Sequence, residues 1–327
     1  MTEAPGTQAE AEDTGRGTSF LRRFLRRPDG VAGLAITSAV AVVGLLAGRL
    51  AGADPLAMAY PTFVRPSRRF LMGTDAVGRD VFSRVVHGIG TSLTVVVSVV
   101  VITTVIGVTL GALAGYRGGV LDSLIMRLVD MMQSVPGFLL AIVVVALLGA
   151  GYEKLILLLG LTSWTFLARL VRAEVLSVKR REFVESARSM GAPGRRILLH
   201  HVLPNVVPAV VVVLPLAASR LVLIEAGLAF LGLGDPDNVS LGFLISEAQP
   251  HLQYYWWLSV FPGLVLVALV LGLNLIGEAL NDVLNPGHGG GRLGGRLRRG
   301  RSADADAALP GGSAQPGDAT LLGTPGR

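Results

Sequence analysis

The chain has 327 residues, of which 51% are hydrophobic and only 16% are charged, and its mean hydropathy is +0.59. A soluble protein of this size needs a more polar surface, so the composition excludes that class and predicts a polytopic membrane protein. The formal charge is +6 and there are no cysteines, which excludes disulfides, iron–sulfur clusters and thiol chemistry. Because basic residues of membrane proteins mark cytoplasmic loops, the positive charge does not indicate a nucleic-acid partner.

Both ends of the chain have compositions typical of disordered tails. Residues 1–18 are polar and acidic, and residues 285–327 are rich first in glycine and arginine and then in alanine, proline and glycine. Residues 19–28 interleave phenylalanine and leucine with arginine, which suits either a short helix on the lipid bilayer surface or a plain basic flank. We expect 19–86 to hold this segment, one membrane-spanning helix and an external loop. We expect 87–284 to form a core with five more spans.

Six apolar stretches are long enough to cross a bilayer, which takes about 20 residues. The third runs through Pro136. The fourth is long enough only if it extends to about Leu176, with Arg169 and Arg172 reaching toward water. The fifth contains Pro215 and is easily mistaken for two short spans. The predicted fold is therefore an all-α polytopic membrane protein with six transmembrane helices, placed at 31–48, within 89–116, at 128–151, 155–176 and 208–234, and within 252–277.

The distribution of basic residues predicts the orientation. With six spans, 21 of the 29 lysines and arginines lie on the side that holds both termini. Basic residues are enriched in cytoplasmic loops, so both termini are expected to be cytoplasmic. The first external loop carries six arginines, but a loop of about 40 residues translocates despite its charge.

A charged stretch, residues 182–205, lies between the fourth and fifth spans on the predicted cytoplasmic side. Phe183, Ala187 and Met190 recur at helical spacing, so a short helix from Glu182 to Met190 is expected to carry them on its apolar face.

The end of that helix is marked by turn-forming residues. Gly191 suits the left-handed position after a last helical turn, and Pro193 favours a turn. A second short helix is expected from Arg195 to about Leu203, ending before Pro204. The stretch therefore predicts a helix–turn–helix elbow, too small for a domain and well shaped to fit a partner protein.

A protease interpretation is the alternative from a different functional class. Gly232-Leu233-Gly234-Asp235 matches the G-x-G-D string of intramembrane aspartyl proteases, and Asp130 is a possible second carboxylate. The predicted topology places Asp235 at the outer end of its span and Asp130 near the inner end of another, which argues against a shared proton.

Nucleotide and metal motifs are absent from the sequence. The five histidines lack metal-binding spacing, and there is no G-x-x-x-x-G-K-[ST] phosphate loop. We therefore expect no metal and no cofactor on this chain, and any use of ATP and Mg²⁺ to take place on another subunit.

Several motifs resemble one transporter family. Glu185-Ser186-Ala187, then Gly191, then His201-Val202-Leu203-Pro204 resembles the EAA loop of permease subunits of type I ABC importers, with Ser186 in place of alanine and His201 in place of isoleucine. The histidine is frequent in the dipeptide, oligopeptide and nickel branch. Four further stretches resemble the same branch, and they are most similar to its C-type dipeptide permease subunits. These stretches are Gly73-Thr74-Asp75, Gly78-Arg79-Asp80-Val81-Phe82-Ser83-Arg84, Gly115-Tyr116-Arg117-Gly118-Gly119 and Glu225 to Gly234.

The resemblance implies a function for the elbow. In this family the elbow is a coupling helix that sits in a groove of a cytoplasmic ATPase, and the chain itself is not an enzyme. The residues implied to act in coupling are Glu182, Glu185, Ser186, Ala187, Gly191, Arg195, His201, Leu203 and Pro204.

The resemblance also implies the partners and the location. They are a homologous permease, two ATPase subunits that bind ATP and Mg²⁺, and an extracytoplasmic solute-binding protein, all at the bacterial cytoplasmic (inner) membrane. The implied cargo is di- or oligopeptides, with nickel or another small solute of the same branch as the alternative.

Polar side chains within the predicted spans are candidates for a translocation pathway, because charge inside hydrocarbon costs at least about 2.5 kcal/mol. Arg127 and Asp130 are three residues apart and are interpreted as a structural ion pair. Arg220 and Glu225 are five apart and do not face each other, so each is expected to have a partner elsewhere or to face the pathway.

Two further polar residues have weaker patterns. Asn274, near the end of the sixth span, suits a contact between helices as well as it suits a contact with cargo. Gln133 lies close to Pro136, and together they predict a kink that lines the pathway.

Overall fold

A computed structural model describes residues 22–284 of the chain, apart from 53 and 236. The tails predicted at 1–18 and 285–327 lie outside these residues. Within the described part, residues 22–25 form a helical turn, no strand occurs, and one isolated β-bridge joins Thr74 to Asp80. The helices are α1 (Pro28–Leu45), α2 (Ala47–Leu50), α3 (Val81–Arg117), α4 (Gly119–Ser134), α5 (Gly137–Leu148), α6 (Tyr152–Val178), α7 (Glu182–Ser189), α8 (Gly194–Leu233), α9 (Leu241–Ala248) and α10 (Trp257–Leu284).

Five helices are each long and apolar enough to cross a membrane: α1, α3, α6, α8 and α10. The pair α4 and α5 passes the same test only when taken together, because the two helices are bent by 83°. The described part of the chain therefore holds five spans, or six if the bent pair crosses. The predicted fifth span is helical from its start to Leu231, although Pro208 and Pro215 lie within it, and Gly232 near its end has a left-handed φ of +80°.

The bend between α4 and α5 lies where the sequence predicts a kink. Val135 has an extended backbone and Pro136 follows it. Proline has no N–H to donate and disfavours helical geometry in the residue before it, so the helical hydrogen bonds stop here. The kink predicted from Pro136 is confirmed, and it is a complete break in the helix.

A row of glycines brings α3 and α6 into close contact. A Cβ added at Gly107, Gly111 or Gly115 would lie 3.0, 2.5 and 2.9 Å from the carbonyl oxygens of Trp164, Ala168 and Arg172 respectively. The spacing of four places these glycines on one helix face. Residue numbers rise together along both helices, so α3 and α6 run parallel.

Two neighbours of α10, namely α1 and α8, run antiparallel to it. Arg27, just before α1, forms an ion pair with Asp282 near the end of α10. Ser219 Oγ of α8 donates a hydrogen bond of 3.0 Å to Asn274 Oδ1 of α10. The start of α1, the end of α10 and the start of α8 therefore lie at one end of the helix bundle, which we call the elbow end because it carries α7.

Candidate functional site

The turn of the elbow has the geometry expected from its glycine. Gly191 follows α7 with φ of +80°, and its N–H donates to the Arg188 carbonyl at 3.0 Å. The N–H of Ala192 donates to the Ala187 carbonyl at 3.1 Å. These two bonds form a Schellman motif, which satisfies carbonyls at the end of a helix and needs a left-handed residue. The predicted stop at Gly191 is confirmed.

The buried face of α7 differs from the predicted one. Val184 and Ala187 are 0% and 4% exposed, whereas Phe183 and Met190 are 40% and 81% exposed. At helical spacing, Ala187 can share a face either with Phe183 and Met190 or with Val184. The helix bundle buries the face that contains Val184. The residues packed in the same cluster include Ala112, Val171, Val175, Val178, Ile197, Val202 and Val206.

The second arm of the elbow is continuous with the following span. The prediction that it ends before Pro204 is wrong: residues Ile197–Val202 form a π-helical turn that leads directly into Leu203–Leu228. Pro204 lies at the start of this regular segment, where a missing N–H is tolerated. His201 is half-buried in the π turn, and its carbonyl accepts a hydrogen bond of 2.7 Å from Asn205 Nδ2. The elbow is therefore continuous with α8.

Charged side chains surround the exposed apolar pair Phe183 and Met190. Glu182 and Glu185 lie in the first turn of α7, and Arg188 lies in its last turn. This order is favourable with the helix dipole, which attracts anions at the N-terminus and cations at the C-terminus. Ser186 and Arg195 are also exposed, whereas Leu203 is half-buried. The elbow thus presents an apolar centre with a charged rim.

The elbow is fixed to the ends of α3 and α6. Lys179, directly after α6, donates from Nζ to the carbonyls of Gly115 and Tyr116 at 2.9 and 3.3 Å. A Cβ on Gly194 would lie 3.2 Å from Tyr116 Oη, so the elbow also approaches α3 closely. The lysine satisfies carbonyls that the end of α3 leaves unpaired. The elbow is therefore attached to three long helices: α3, α6 and α8.

The ion pair predicted between Arg127 and Asp130 is not formed. Asp130 pairs with Arg169, and Arg172 Nη2 donates to Asp122 Oδ2 at 2.7 Å. Arg169 and Arg172 both join α6 to α4, and their side chains remain 46% and 32% exposed. Carboxylates on α4 are close enough for these arginines because α4 packs beside α6, which spacing along the chain does not reveal. Arg127 is exposed.

Glu225 and Asn274 join helices to one another. Glu225 is 1% exposed, and its Oε2 accepts a hydrogen bond of 3.2 Å from Ser92 Oγ. Ser92 Oγ in turn accepts from the Leu241 N–H at 3.2 Å, and Ser240 also hydrogen-bonds to Glu225. The expectation that Glu225 has a partner other than Arg220 is confirmed. Asn274 binds Ser219, which agrees with the helix-contact interpretation.

Two of the predicted pathway residues, Arg220 and Gln133, are exposed. Gln133 lies one turn before the break at Pro136, and its role in a pathway stays a prediction.

Asp235 has a structural role. Its carboxylate accepts hydrogen bonds from the N–H groups of Tyr152 and Asp237 at 3.1 and 2.9 Å, and from Asn238 Nδ2 at 3.0 Å. Burial acts to raise the pKa of Asp235, but these hydrogen bonds outweigh burial and lower it. A carboxylate that caps α6 in this way, while Asp130 pairs with Arg169, does not form the shared-proton pair of an aspartyl protease.

A buried charge cluster lies at the opposite end of the bundle, and Glu247 in it carried no signal in the sequence. Asp75 Oδ2 accepts from Arg79 Nε at 2.6 Å and from Arg84 Nη1 at 2.9 Å. Glu247 of α9 lies 3.0 Å from Arg79 and 2.6 Å from Arg84. Burial acts to lower the pKa of Arg79, but Asp75 and Glu247 outweigh it and raise the pKa.

The cluster explains part of the glycine-rich motif that precedes α3. A Cβ at Gly78, where φ is +79°, would lie 2.0 Å from the Tyr60 carbonyl oxygen, so only glycine fits this turn. The turn places Asp75 between the two arginines. Next to the cluster is a cavity of about 190 Å³, which His251 also lines. The loop that precedes α3 is thereby tied to α3 and α9.

Comparisons with known proteins agree with one another. A family model described as "Binding-protein-dependent transport system inner membrane component" matches residues 107–288. The chain is 35% identical to the dipeptide transport system permease protein of Haemophilus influenzae, over 80% of this chain and 92% of that protein. It is 36% identical to the oligopeptide transport system permease protein of Mycobacterium tuberculosis, over 84% of this chain and 96% of that protein.

A solved structure shows the same fold. The MetNI methionine ABC transporter, in an inward-facing conformation, matches with a TM-score of 0.52 and 22% identity, over 61% of this chain and 96% of that one. The family match covers more than half of the chain and includes the whole elbow. The chain therefore belongs to the family of binding-protein-dependent transport system inner membrane components, and it is a membrane permease subunit of a peptide ABC importer.

Proposed function

We propose that the elbow of this permease is the site at which cytoplasmic ATPase subunits drive peptide import. The observation that carries the proposal is the exposed apolar pair Phe183 and Met190, held on a short helix whose other face is buried. An apolar centre with a charged rim is the usual composition of a protein–protein contact. Glu182, Glu185 and Arg195 on the rim offer charge-assisted hydrogen bonds to the partner.

The parallel packing of α3 and α6 supports a six-span topology. Two neighbouring spans that run in the same direction require the chain to cross the membrane once between them, and only the bent pair α4 and α5 lies between them. With six spans, both termini lie on the elbow side. The excess of basic residues there supports a cytoplasmic location for that side, in the bacterial cytoplasmic membrane.

The other subunits of the importer are assigned to the two ends of the helix bundle. A homologous permease forms the other half of the pathway, and two ATPase subunits that bind ATP and Mg²⁺ contact the two elbows. A solute-binding protein docks at the opposite end, on the loops at 49–88 and 235–251. ATP and loaded binding protein favour different conformations of the spans, and this difference gives alternating access. This chain supplies binding surfaces and a path, with no cofactor of its own.

The test uses cells that lack this subunit, complemented with the wild-type chain or with Met190→Glu. The wild-type chain is expected to restore uptake of a labelled dipeptide but not of nickel. Met190→Glu is expected to insert normally, yet to lose uptake and substrate-stimulated ATP hydrolysis, because it places a charge at the apolar centre of the contact.

Met190→Leu is the matched control, since leucine keeps the apolar character and approximate volume of methionine. Normal uptake by Met190→Glu would exclude the elbow as the ATPase contact. Nickel uptake without dipeptide uptake would instead contradict the peptide cargo.

A further inference from the structure

Arg220 is a cation within a membrane-spanning helix that has no partner in the described part of the chain. Its side chain is exposed on α8, and none of residues 22–284, apart from 53 and 236, gives it a hydrogen bond or an ion pair. The nearest acidic residue along the helix is Glu225, which is buried and hydrogen-bonded to Ser92 and Ser240. Arg220 therefore needs an anion from outside the described residues.

The depth of Arg220 follows from its neighbour on α8. Ser219 binds Asn274, which lies 17 residues after Trp257, where α10 begins, and 8 residues before Asp282, which pairs with Arg27. At a rise of 1.5 Å per residue, Arg220 lies about 25 Å from the start of α10 and about 12 Å from the ion pair at the elbow end. This places the backbone of Arg220 inside the hydrocarbon thickness of a bilayer.

The face of α8 that carries Arg220 is otherwise apolar. Leu216, Leu223 and Gly227 lie at i−4, i+3 and i+7 and are all exposed. Lipid is an unfavourable cover for this face, because a charged side chain in hydrocarbon costs at least about 2.5 kcal/mol. A largely apolar wall with one well-placed charge is instead the usual composition of a small-ligand site.

We propose that Arg220 binds the C-terminal carboxylate of the cargo peptide as it crosses the membrane. Peptides of different length and sequence share few recognisable groups, and a free carboxylate is one of them. Arginine binds a carboxylate through two parallel hydrogen bonds, which hold its orientation. A permanent ion pair with an acid of the partner permease is the rival occupant, and the test below separates the two. The inference rests on the proposed peptide pathway.

The test compares a labelled dipeptide, alanyl-alanine, with its C-terminal amide in proteoliposomes that contain the complete importer. Loaded binding protein is kept at saturation, so the maximal rate reports the membrane step. Arg220→Gln is expected to lower the rate for the free acid about tenfold, which corresponds to about 1.4 kcal/mol. The rate for the amide is expected to stay unchanged. Arg220→Lys keeps a cation and is expected to retain most of the preference for the acid.

Arg22→Gln is the control, since it removes an exposed arginine outside the spans. An equal loss for acid and amide in Arg220→Gln, together with less assembled importer, would overturn the proposal in favour of an ion pair with the partner permease. Unchanged rates for both substrates would also overturn it. If the wild-type importer transports neither substrate, the peptide pathway itself fails, and that outcome is distinct from a failure of Arg220.

Discussion

At Gly191 the backbone alone limits which residue is tolerated. Its φ is +80°, and no atom lies within 4 Å of the position that a Cβ would occupy. A Cβ here meets no neighbouring residue, so the cost of adding it is conformational. A substitution at Gly191 therefore tests the conformation of the turn separately from side-chain packing.

Gly191→Val is expected to uncouple transport from ATP hydrolysis. A β-branched residue resists positive φ, and the strain of about 1–2 kcal/mol is relieved by distortion of the Schellman turn. Dipeptide uptake and substrate-stimulated ATPase activity measure the effect, while a membrane fraction assay checks insertion.

Gly191→Asn is the matched control, because asparagine tolerates the left-handed region better than other side chains. It is expected to retain most of the activity. Full uptake by Gly191→Val would show that the elbow does not need this turn.

Asp75 is the second residue for which we predict the effect of a substitution. Asp75→Ala leaves Arg79 and Arg84 in a buried site without their shared carboxylate, and breaking a buried pair typically costs about 3–5 kcal/mol. The loop at 54–80 is expected to detach from α3 and α9, so thermal stability falls and limited proteolysis of the purified importer cleaves within this loop. Asp54→Ala, an exposed substitution in the same loop, is expected to change neither result. Equal protease resistance of both variants would contradict the role of the cluster.

At the scale of the element, the contact between α3 and α6 depends on the absence of side chains. Gly111→Ala would place a methyl group 2.5 Å from the Ala168 carbonyl oxygen, so the two helices must separate. Overpacking of this kind costs about 1–3 kcal/mol. A lower melting temperature of the detergent-solubilised importer is the expected result.

Gly263→Ala in α10 is the comparison, since no atom lies within 4 Å of its added methyl group. Alanine favours a helix more than glycine does, by about 1 kcal/mol. Its melting temperature is therefore expected to be unchanged or higher. A similar loss in both variants would show that close packing at Gly111 does not stabilise the fold.

The sequence predicts the elements of this fold better than the contacts between them. Hydrophobic length, Pro136 and Gly191 act locally, and the spans, the break and the turn follow from them. By contrast, the partner of Asp130 is Arg169, 39 residues away, and Glu247 lies 168 residues from Arg79. Which face of α7 is buried depends on the side of α7 against which the helix bundle packs. These features are set by packing, which periodicity does not determine.

At the scale of the whole molecule, the topology can be tested with single cysteines, since the chain has none. Met190→Cys is expected to react with a membrane-impermeant maleimide only after cells are permeabilised. Tyr254→Cys and Ala150→Cys are expected to react in intact cells, because they lie on the other side. The cysteine-free chain is the control. Labelling of Met190 and Ala150 from the same side would exclude a crossing by α4 and α5.

The parallel contact of α3 with α6 also constrains how the protein is made. The glycine face of α3 is completed only when α6 has been synthesised, and residues 118–151 separate the two helices. Until then α3 is in the membrane with that face against lipid or the insertion machinery. Assembly of the elbow therefore waits for the synthesis of α6, and a chain truncated before α6 lacks the helix against which the glycine face of α3 packs.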